Sequence, residues 1–360
     1  MRDMARQRSR FIVLCLLTLG AALAVRETIA CTTFCLRGGG EVLFGRNYDW
    51  EVGDGLLMVN KRGVAKTSIL PAADRPASWT SRFGSVTFNQ YGREFPTGGM
   101  NEAGLVVELM WLDDTRYPRP DDRPAVGALE WIQYQLDRWE RAADVVRAAR
   151  EVRVSSTVPL HYLVCDRTAA CATVEFLAGE LVAHTGTALP VPVLTNDRYD
   201  ASLRFLEQKG DGGSSVAGPG SLERFARTAG LVRLRAARPG KASLVDNAFD
   251  ILDRAAQGPH TRWSIVYDLR RGRIYYRTRD NRSLRWVDLA AFDFSCATPV
   301  RVLDINAGAG QVAARFADFR LDLNRDLIAR SIRATAFAAG TSPEEIAAMA
   351  KHPAAMACQP

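Results

Sequence analysis

Short runs of apolar or alternating residues dominate the first third of the chain and predict β-strands. They cover residues 31–36, 41–45, 56–60, 85–90 and 105–111. The three glycines at positions 38–40 predict a tight turn between the first two strands, because glycine tolerates the positive φ that hairpin turns require. Cys31 therefore begins a strand that pairs with the strand leading to Arg46.

Helical periodicity follows this block. Pro124 suits the first turn of a helix over residues 124–150, and apolar residues recur on one face of it. Strands are predicted next at 160–165, 171–177, 180–184, 192–194, 263–269 and 273–277, and helices at 198–208, 221–236 and 243–255. Two blocks of strands interleaved with two blocks of helices predict an α+β fold, with sheets packed face to face and helices outside.

No internal repeat and no change of composition marks a second domain, so residues 31–360 are expected to form one domain. The tail from about residue 307 to residue 360 is rich in alanine and predicts mostly helix. Its sequence indicates no function.

Residues 1–30 have the pattern of a secretory signal. Four arginines precede an apolar stretch at residues 11–25, and the small residues Thr28 and Ala30 come before Cys31. The apolar stretch is shorter than the roughly 20 residues that a membrane-spanning helix needs. We therefore expect the signal to be removed, the remaining chain to be periplasmic or secreted, and Cys31 to become its first residue, with a free α-amine.

A cysteine after a bacterial signal can instead carry the lipid of a lipoprotein, which would make this chain a lipid-anchored binding protein acylated on Cys31. That processing prefers a leucine-like residue three positions before the cysteine, directly against the apolar stretch. Thr28 occupies that position, and Arg26 and Glu27 intervene. The spacing favours ordinary signal cleavage.

Composition places the chain among globular proteins, with 47% hydrophobic and 24% charged residues. Part of the formal net charge of +7 is lost with the arginine-rich signal, and the remainder is too small and too scattered to predict nucleic acid as a partner. The four histidines have no metal-ligand spacing, so we expect no metal and no other cofactor. They are His161, His184, His260 and His352.

An odd number of cysteines remains once the signal's Cys15 is removed and Cys31 is assigned to chemistry. The five are Cys35, Cys165, Cys171, Cys296 and Cys358. Cys165 and Cys171 lie between two predicted strands and face each other across a hairpin in one register, which would allow a disulfide. The alternative is two small buried apolar side chains.

The end of the second predicted strand brings charged residues towards Cys31. Asp49 beside an α-ammonium can hold it by a charge-assisted hydrogen bond. Arg46 beside a thiol favours the thiolate. The alternative interpretation of this pair is a solvated ion pair at the end of a strand.

Five motifs in order along the chain resemble the choloylglycine hydrolase family, the N-terminal-nucleophile amidases that include bile salt hydrolases and penicillin V acylases. The resemblance spans roughly residues 31–294, and the motifs are CTTF at 31–34, FGRNYDW at 44–50, NEAGL at 101–105, VLTN at 193–196 and SLERF at 221–225. It implies the family's fold, a four-layer αββα sandwich of two packed antiparallel sheets flanked by helices. It also implies a small acyl amide as the substrate and a homo-oligomer, a tetramer.

The resemblance implies roles for individual residues. Cys31 would be the nucleophile, with Arg46 and Asp49 beside it. Asn196 would stabilise the oxyanion, and Arg224 would complete the site. Without the resemblance, Asn196 could simply form a turn, and Arg224 could be an ordinary charge on the surface of a helix.

Two tryptophans adjoin these positions. Trp111 falls where the family places a residue whose backbone amide helps to form the oxyanion hole. A tryptophan at this position resembles the Gram-negative penicillin V acylase branch. Some members of that branch cleave acyl-homoserine lactones. Trp50 and Trp111 are either lining residues of an acyl pocket or core aromatics. Asn101 is interpreted as a turn former rather than a catalyst.

A cysteine with a free α-amine carries nucleophile and base in one residue, because an α-amine titrates at about 7.7–8.0. The expected enzyme is a penicillin V acylase-like or N-acyl-homoserine lactone acylase acting through a thioester. The alternative in the same class is a conjugated bile salt hydrolase.

Overall fold

The computed structural model describes residues 31–237 and 242–359. In this part of the chain one sheet has seven strands: β1 (Thr32–Gly38), β2 (Glu41–Asp49), β14 (Val193–Leu194), β15 (Thr261–Asp268), β16 (Arg273–Thr278), β17 (Arg285–Asp288) and β19 (Gly310–Gln311). Their spatial order is β14-β1-β2-β15-β16-β17-β19, and neighbours run antiparallel except for β17 and β19.

A second sheet, with nine antiparallel strands, contains β3 (Leu56–Asn60), β6 (Ser85–Asn89), β7 (Pro96–Asn101), β8 (Val106–Trp111), β11 (Leu160–Cys165), β12 (Cys171–Leu177), β13 (Glu180–Thr185), β18 (Arg301–Asp304) and β20 (Ala317–Asp318). Their spatial order is β13-β12-β11-β8-β7-β6-β3-β18-β20. Short strands β4 (Val64–Thr67), β5 (Ser78–Thr80) and β21 (Ala357–Cys358) form a small third sheet, and β9 (Ala125–Val126) pairs with β10 (Arg153–Val154).

Helices cover the outer face of each large sheet. Helices α1 (Ala128–Arg138) and α2 (Ala142–Ala148) pack on the nine-stranded sheet. On the seven-stranded side lie α3 (Tyr199–Lys209), α4 (Ser221–Ala237) and α5 (Leu244–Ala255), of which α4 packs on β1 and α5 on β2. Helices α6 (Leu321–Ala334) and α7 (Pro343–Lys351) pack against each other. The predicted four-layer sandwich is therefore confirmed.

Aromatic side chains fill the space between the two sheets. Phe88 of β6 lies 6.3 Å from Trp263 and 6.1 Å from Tyr267 of β15, measured between ring centroids. All three rings are fully buried. Contacts of this kind join the sheets, because each large ring removes a wide apolar area from water.

The predicted turn at residues 38–40 is confirmed, with φ of 55° at Gly39 and 81° at Gly40. The register that follows places Thr32 opposite Asn47 and Thr33 opposite Arg46. The end of β2 thus lies beside the start of β1, as the sequence predicted.

The single helix predicted over residues 124–150 is wrong. Residues Ala125–Val126 form β9, and the helical stretch is broken at Trp139, which has extended backbone angles. The break has a tertiary cause, because the Asn101 side chain donates hydrogen bonds to the Leu136 and Trp139 carbonyls and so ends α1. The tail is also less helical than predicted, since β19, β20 and β21 lie within it.

Two disulfides are present. Cys165 and Cys171 pair directly across β11 and β12, which confirms the predicted bridge, and Cys296 is bonded to Cys358. Among the described residues Cys31 and Cys35 are free thiols, and both are buried. No helix in the described part of the chain is long and apolar enough to cross a membrane.

Candidate active site

Cys31 lies at the first position before β1, at the floor of a cavity of about 270 Å³. Its residue surface is 3% exposed, and its thiol donates to the Asp49 backbone carbonyl over 3.8 Å. Burial raises the pKa of this thiol, while the Arg46 charge lowers it and the Asp49 charge raises it. The thiol is therefore mostly protonated in this environment and needs a base before it can attack.

Arg46 reaches from β2 across to the nine-stranded sheet. Its Nη1 donates to the Thr97 carbonyl at 2.8 Å and forms a fully buried ion pair with Glu108 of β8. Gly98 leaves the space for this pair, because a Cβ there would collide with the Glu108 carboxylate. Either charge of a buried pair would be left uncompensated without its partner, so the two side chains stay together. Glu108 therefore holds the Arg46 guanidinium near the thiol.

Asp49 is fully buried beside Cys31 and accepts a hydrogen bond from the Thr261 hydroxyl at Oδ1. Its Oδ2 has no hydrogen-bond partner among the described residues. Burial raises the pKa of this carboxyl to about 6, against the opposing charges of Arg224 and Arg46. An orphaned carboxylate oxygen in a buried site is suited to bind a cation.

Arg224 of α4 joins the other candidate residues. Its Nη1 donates to the Cys31 carbonyl at 2.8 Å and to Thr32 Oγ1 at 2.7 Å, and its Nη2 donates to Asn196 Oδ1 at 3.2 Å. Burial lowers the pKa of the Arg224 guanidinium, whereas the Asp49 charge raises it. Arg224 is thus a buried structural bridge and not the helix-surface charge of the alternative interpretation.

Asn196 follows β14, which pairs with β1. Its backbone N–H donates to Ser221 Oγ at 2.8 Å, and its Nδ2 donates to the Trp111 carbonyl at 2.8 Å. Trp111 lies opposite Leu160, and the next residue, Leu112, donates a hydrogen bond to the Pro159 carbonyl. Hydrogen-bonded and non-hydrogen-bonded pairs alternate along an antiparallel ladder, so Trp111 and Leu160 form a non-hydrogen-bonded pair. The Trp111 N–H and C=O therefore point away from β11, to the side where Asn196 lies.

Three aromatic rings line the cavity above Cys31. Trp50 and Trp111 lie 6.0 Å apart between ring centroids, and Phe337 lies 5.5 Å from Trp111 and 6.3 Å from Trp50. The Trp50 Nε1–H donates to the Tyr91 hydroxyl at 2.9 Å. The remaining lining is mainly apolar, with Leu109, Val158, Leu160, Ile332 and Met349 among its members.

The structure brings together all seven predicted site residues, and it adds partners that sequence reasoning missed. Glu108 and Thr261, which hold Arg46 and Asp49, lie far from them in sequence. His161 was not assigned a role, yet its Nε2 donates to the carbonyl of Thr195 at 2.7 Å, and its Nδ1 lies 3.3 Å from buried Glu175. Phe337 lies in the tail, and no signal in the sequence pointed to it.

Asn101 makes only local and structural contacts. Its Oδ1 accepts from the Ala103 and Leu105 backbone N–H groups, and its Nδ2 holds the end of α1. The interpretation of Asn101 as a turn former is confirmed.

Comparison with known proteins defines the class. The family model described as linear amide C–N hydrolases, choloylglycine hydrolase family, matches residues 31–302. This chain therefore belongs to the choloylglycine hydrolase family and is a linear amide C–N hydrolase, on its penicillin V acylase-like branch.

Individual relatives agree with this assignment. The chain is 24% identical over 329 residues to the penicillin V acylase of Pectobacterium atrosepticum, covering 78% of this chain and 85% of the relative. The structure of penicillin V acylase from Agrobacterium tumefaciens matches with a TM-score of 0.72 and 26% identity, over 81% of this chain and 98% of that one. A variant of the conjugated bile acid hydrolase from Clostridium perfringens shares the fold, with a TM-score of 0.65 and 17% identity over 78% of this chain and 98% of that one.

Proposed function

We propose that residues 31–360 are released from the signal at Ala30 and hydrolyse an acyl amide through a thioester on Cys31. The observation that carries this proposal is the convergence of four separate segments on Cys31, which lines one apolar cavity together with Asp49. Arg224 hydrogen-bonds to the Cys31 carbonyl and to the Asn196 side chain and so connects the other two segments to it. Removal of the signal creates an α-ammonium at Cys31, and Asp49 Oδ2, which accepts no hydrogen bond from residues 31–237 or 242–359, is suited to hold it.

The α-amine supplies the base that the buried thiol needs. In its neutral form it takes the thiol proton, and the sulfur then attacks the carbonyl carbon of the amide. The C–N bond breaks as the leaving amine receives that proton, which leaves the acyl group on Cys31 as a thioester. Water then attacks the thioester, the carboxylic acid departs, and the thiol and the amine are restored.

The tetrahedral intermediates carry an oxyanion, for which we propose two donors. An amide nitrogen has two hydrogens, so Asn196 Nδ2 retains one for the oxyanion beyond the one it donates to Trp111. The Trp111 backbone N–H, which points away from β11, is the second donor. Arg46 favours the thiolate by its positive charge.

The lining of the cavity supports an apolar acyl group with an aromatic portion, such as the phenoxyacetyl group of penicillin V. The acyl chain of an N-acyl-homoserine lactone is also apolar and is the second candidate. A conjugated bile salt is the alternative, supported by a relative that shares the fold alone.

The competing hypothesis is that Cys31 carries a lipid anchor, which would add the mass of the lipid to the mature amino terminus. The Cys31 thiol is buried at the cavity floor, so a diacylglyceryl group on it would have to enter a cavity of about 270 Å³. The two disulfides support an oxidising compartment, which agrees with a periplasmic or secreted protein under either hypothesis. The mass of the mature amino terminus separates the two, because our proposal requires an unmodified cysteine.

A substrate panel tests the proposed reaction. Processed protein and its Cys31→Ala variant are incubated with penicillin V, N-acyl-homoserine lactones, and taurine- and glycine-conjugated bile salts, and the primary amine released is measured. We expect turnover of the first or second class and none with Cys31→Ala. Turnover of bile salt conjugates alone would contradict the proposed substrate class. Equal turnover by Cys31→Ala would contradict the proposed thioester intermediate.

A further inference from the structure

The C-terminal segment, defined here as residues 321–359, lies beyond residue 302, where the match to the family model ends. It nevertheless supplies part of the cavity that contains Cys31. Its lining residues are Ile332, Phe337, Ala338, Thr341 and Met349. The site is thus built from the matched region together with a segment that the family model does not describe.

We propose that the C-terminal segment forms the outer wall of the acyl-binding site and that Phe337 is a specificity-determining residue for acyl groups long enough to reach it. This inference rests on the proposed function for the identity of the ligand. The Phe337 residue is 56% exposed although it is a large apolar side chain, and its ring contacts Trp50 edge-on and Trp111 in a tilted arrangement. An apolar acyl group between these three rings would cover the exposed face of Phe337.

The segment is held against the site by specific contacts. The Tyr91 hydroxyl links it to the pocket, since it lies 2.9 Å from Thr335 Oγ1 and accepts from Trp50 Nε1 at 2.9 Å. At the start of α6, the Asn324 side chain accepts from the Arg93 backbone N–H at 2.9 Å. The wall is therefore positioned before a ligand binds, which reduces the entropy lost on binding.

The far end of the segment is also fixed. Cys358 is bonded to Cys296, and β21 pairs with β4 of the third sheet. Ile328, Ile332 and Ala350 form a buried apolar cluster that joins α6 to α7 and contacts Tyr91. Phe337 takes no part in these contacts, so shortening its side chain is expected to leave the segment folded.

The chemistry of the wall sets the ligand class. The side chains that the segment presents are apolar apart from the Thr341 hydroxyl, so it would favour uncharged, apolar acyl ends and disfavour charged ones. An acetyl group has no aromatic portion to pack against Phe337 and serves as the internal reference. The expected effect of Phe337 is therefore a change in preference between acyl groups, not a loss of chemistry.

The first test compares phenoxyacetyl and acetyl amides of one common amine as substrates. In Phe337→Ala the ratio of the two kcat/KM values should fall about 3- to 10-fold, the range expected for the loss of one aromatic contact, and Phe337→Trp should restore it. The matched control is Leu323→Ala, which removes another exposed apolar side chain of the segment that does not line the cavity. This control should leave the ratio unchanged.

The second test does not depend on turnover. The Kd of phenoxyacetate is measured by calorimetry for Cys31→Ala with and without Phe337→Ala, and we expect about 3- to 10-fold weaker binding in the double variant. If amides are hydrolysed but neither the kcat/KM ratio nor the Kd changes, the proposed role of the C-terminal segment in acyl binding is wrong and the proposed function stands. If the Kd weakens while no acyl amide is hydrolysed, the proposed function fails and the wall stands. Absence of phenoxyacetate binding to both proteins would overturn the wall.

Discussion

The Arg224 guanidinium donates a hydrogen bond of 2.8 Å to the backbone carbonyl of Cys31, which lies 193 residues earlier in the chain. The same group contacts Thr32 and the side chain of Asn196. Helix α4 thereby connects the start of β1 to the end of β14. Together with the pairing of β14 on β1, this planar side chain sets the position of the proposed oxyanion donor relative to the proposed nucleophile.

Arg224→Lys tests this bridge. A lysine keeps the charge but has one nitrogen, so it cannot span three acceptors in the geometry of a guanidinium. We expect kcat/KM to fall about 10- to 100-fold, since each charged hydrogen bond contributes about 1.5–3 kcal/mol. The control is Arg227→Lys on the same helix, because Arg227 donates to the Val216 and Arg254 carbonyls and does not contact Cys31. Wild-type kinetics in Arg224→Lys would contradict the bridging role.

Asn196→Ala should lower kcat about 10²- to 10³-fold with a much smaller change in KM, because an oxyanion donor acts in the transition state. Asn101→Ala is the matched control, since Asn101 makes buried hydrogen bonds in a turn away from Cys31. That variant should lower the melting temperature and leave kcat of the folded protein near the wild-type value. The reverse pattern would exchange the roles of the two asparagines.

The pH dependence of kcat/KM tests Asp49. The carboxyl must be ionised to stabilise the ammonium that forms when the neutral amine takes the thiol proton, so protonation of Asp49 as the pH falls through its pKa removes activity. That pKa is raised to about 6 by burial, and the new ammonium lowers it, so this loss is expected at or below about pH 6. Protonation of the amine base gives a separate loss that begins at or above about pH 7.7–8.0, because ionised Asp49 raises the pKa of the amine just as the ammonium lowers that of Asp49.

The logarithm of kcat/KM should therefore fall with a slope of one below the pKa of the amine and a slope of two below that of Asp49. In Asp49→Asn the steeper limb should be absent, and the overall rate should be lower at every pH. A steeper limb that persists in Asp49→Asn would assign that ionisation to another group.

Replacing the Cys296–Cys358 disulfide by two serines should lower the free energy of unfolding by about 2–4 kcal/mol, because the bridge closes a long loop with a sequence separation of 62. Neither cysteine is buried, so the serines themselves add little penalty. Urea unfolding measures the change, and the wild-type protein under reducing conditions should shift in the same direction. An unchanged midpoint would show that the segment is held by its other contacts alone.

The local parts of this molecule were predictable from sequence. The strand pairing of Cys31 with the region of Arg46 follows from apolar runs and a glycine turn, and the Cys165–Cys171 bridge follows from hairpin register. Each of these features depends on residues that are close in sequence. The five motifs then identified the family and, through it, the candidate site residues.

Features with a distant cause were not predictable. The break in the helix at Trp139 depends on Asn101, and the position of Arg46 depends on Glu108, which lies on the other sheet. The tail residue Phe337 reaches the cavity only because α6 and α7 fold back over it. Such contacts arise from packing between layers, which hydrophobic periodicity does not encode.

The central claim is that the α-amine of Cys31 is the base. It is tested most directly by comparing protein that begins at Cys31 with protein that keeps only Ala30 before it, both verified by mass spectrometry before and after the assay. In the extended form the nitrogen is an amide and cannot accept the thiol proton, so kcat/KM should fall at least about 100-fold. Equal kcat/KM in the two forms, with Ala30 still attached at the end of the assay, would contradict the account.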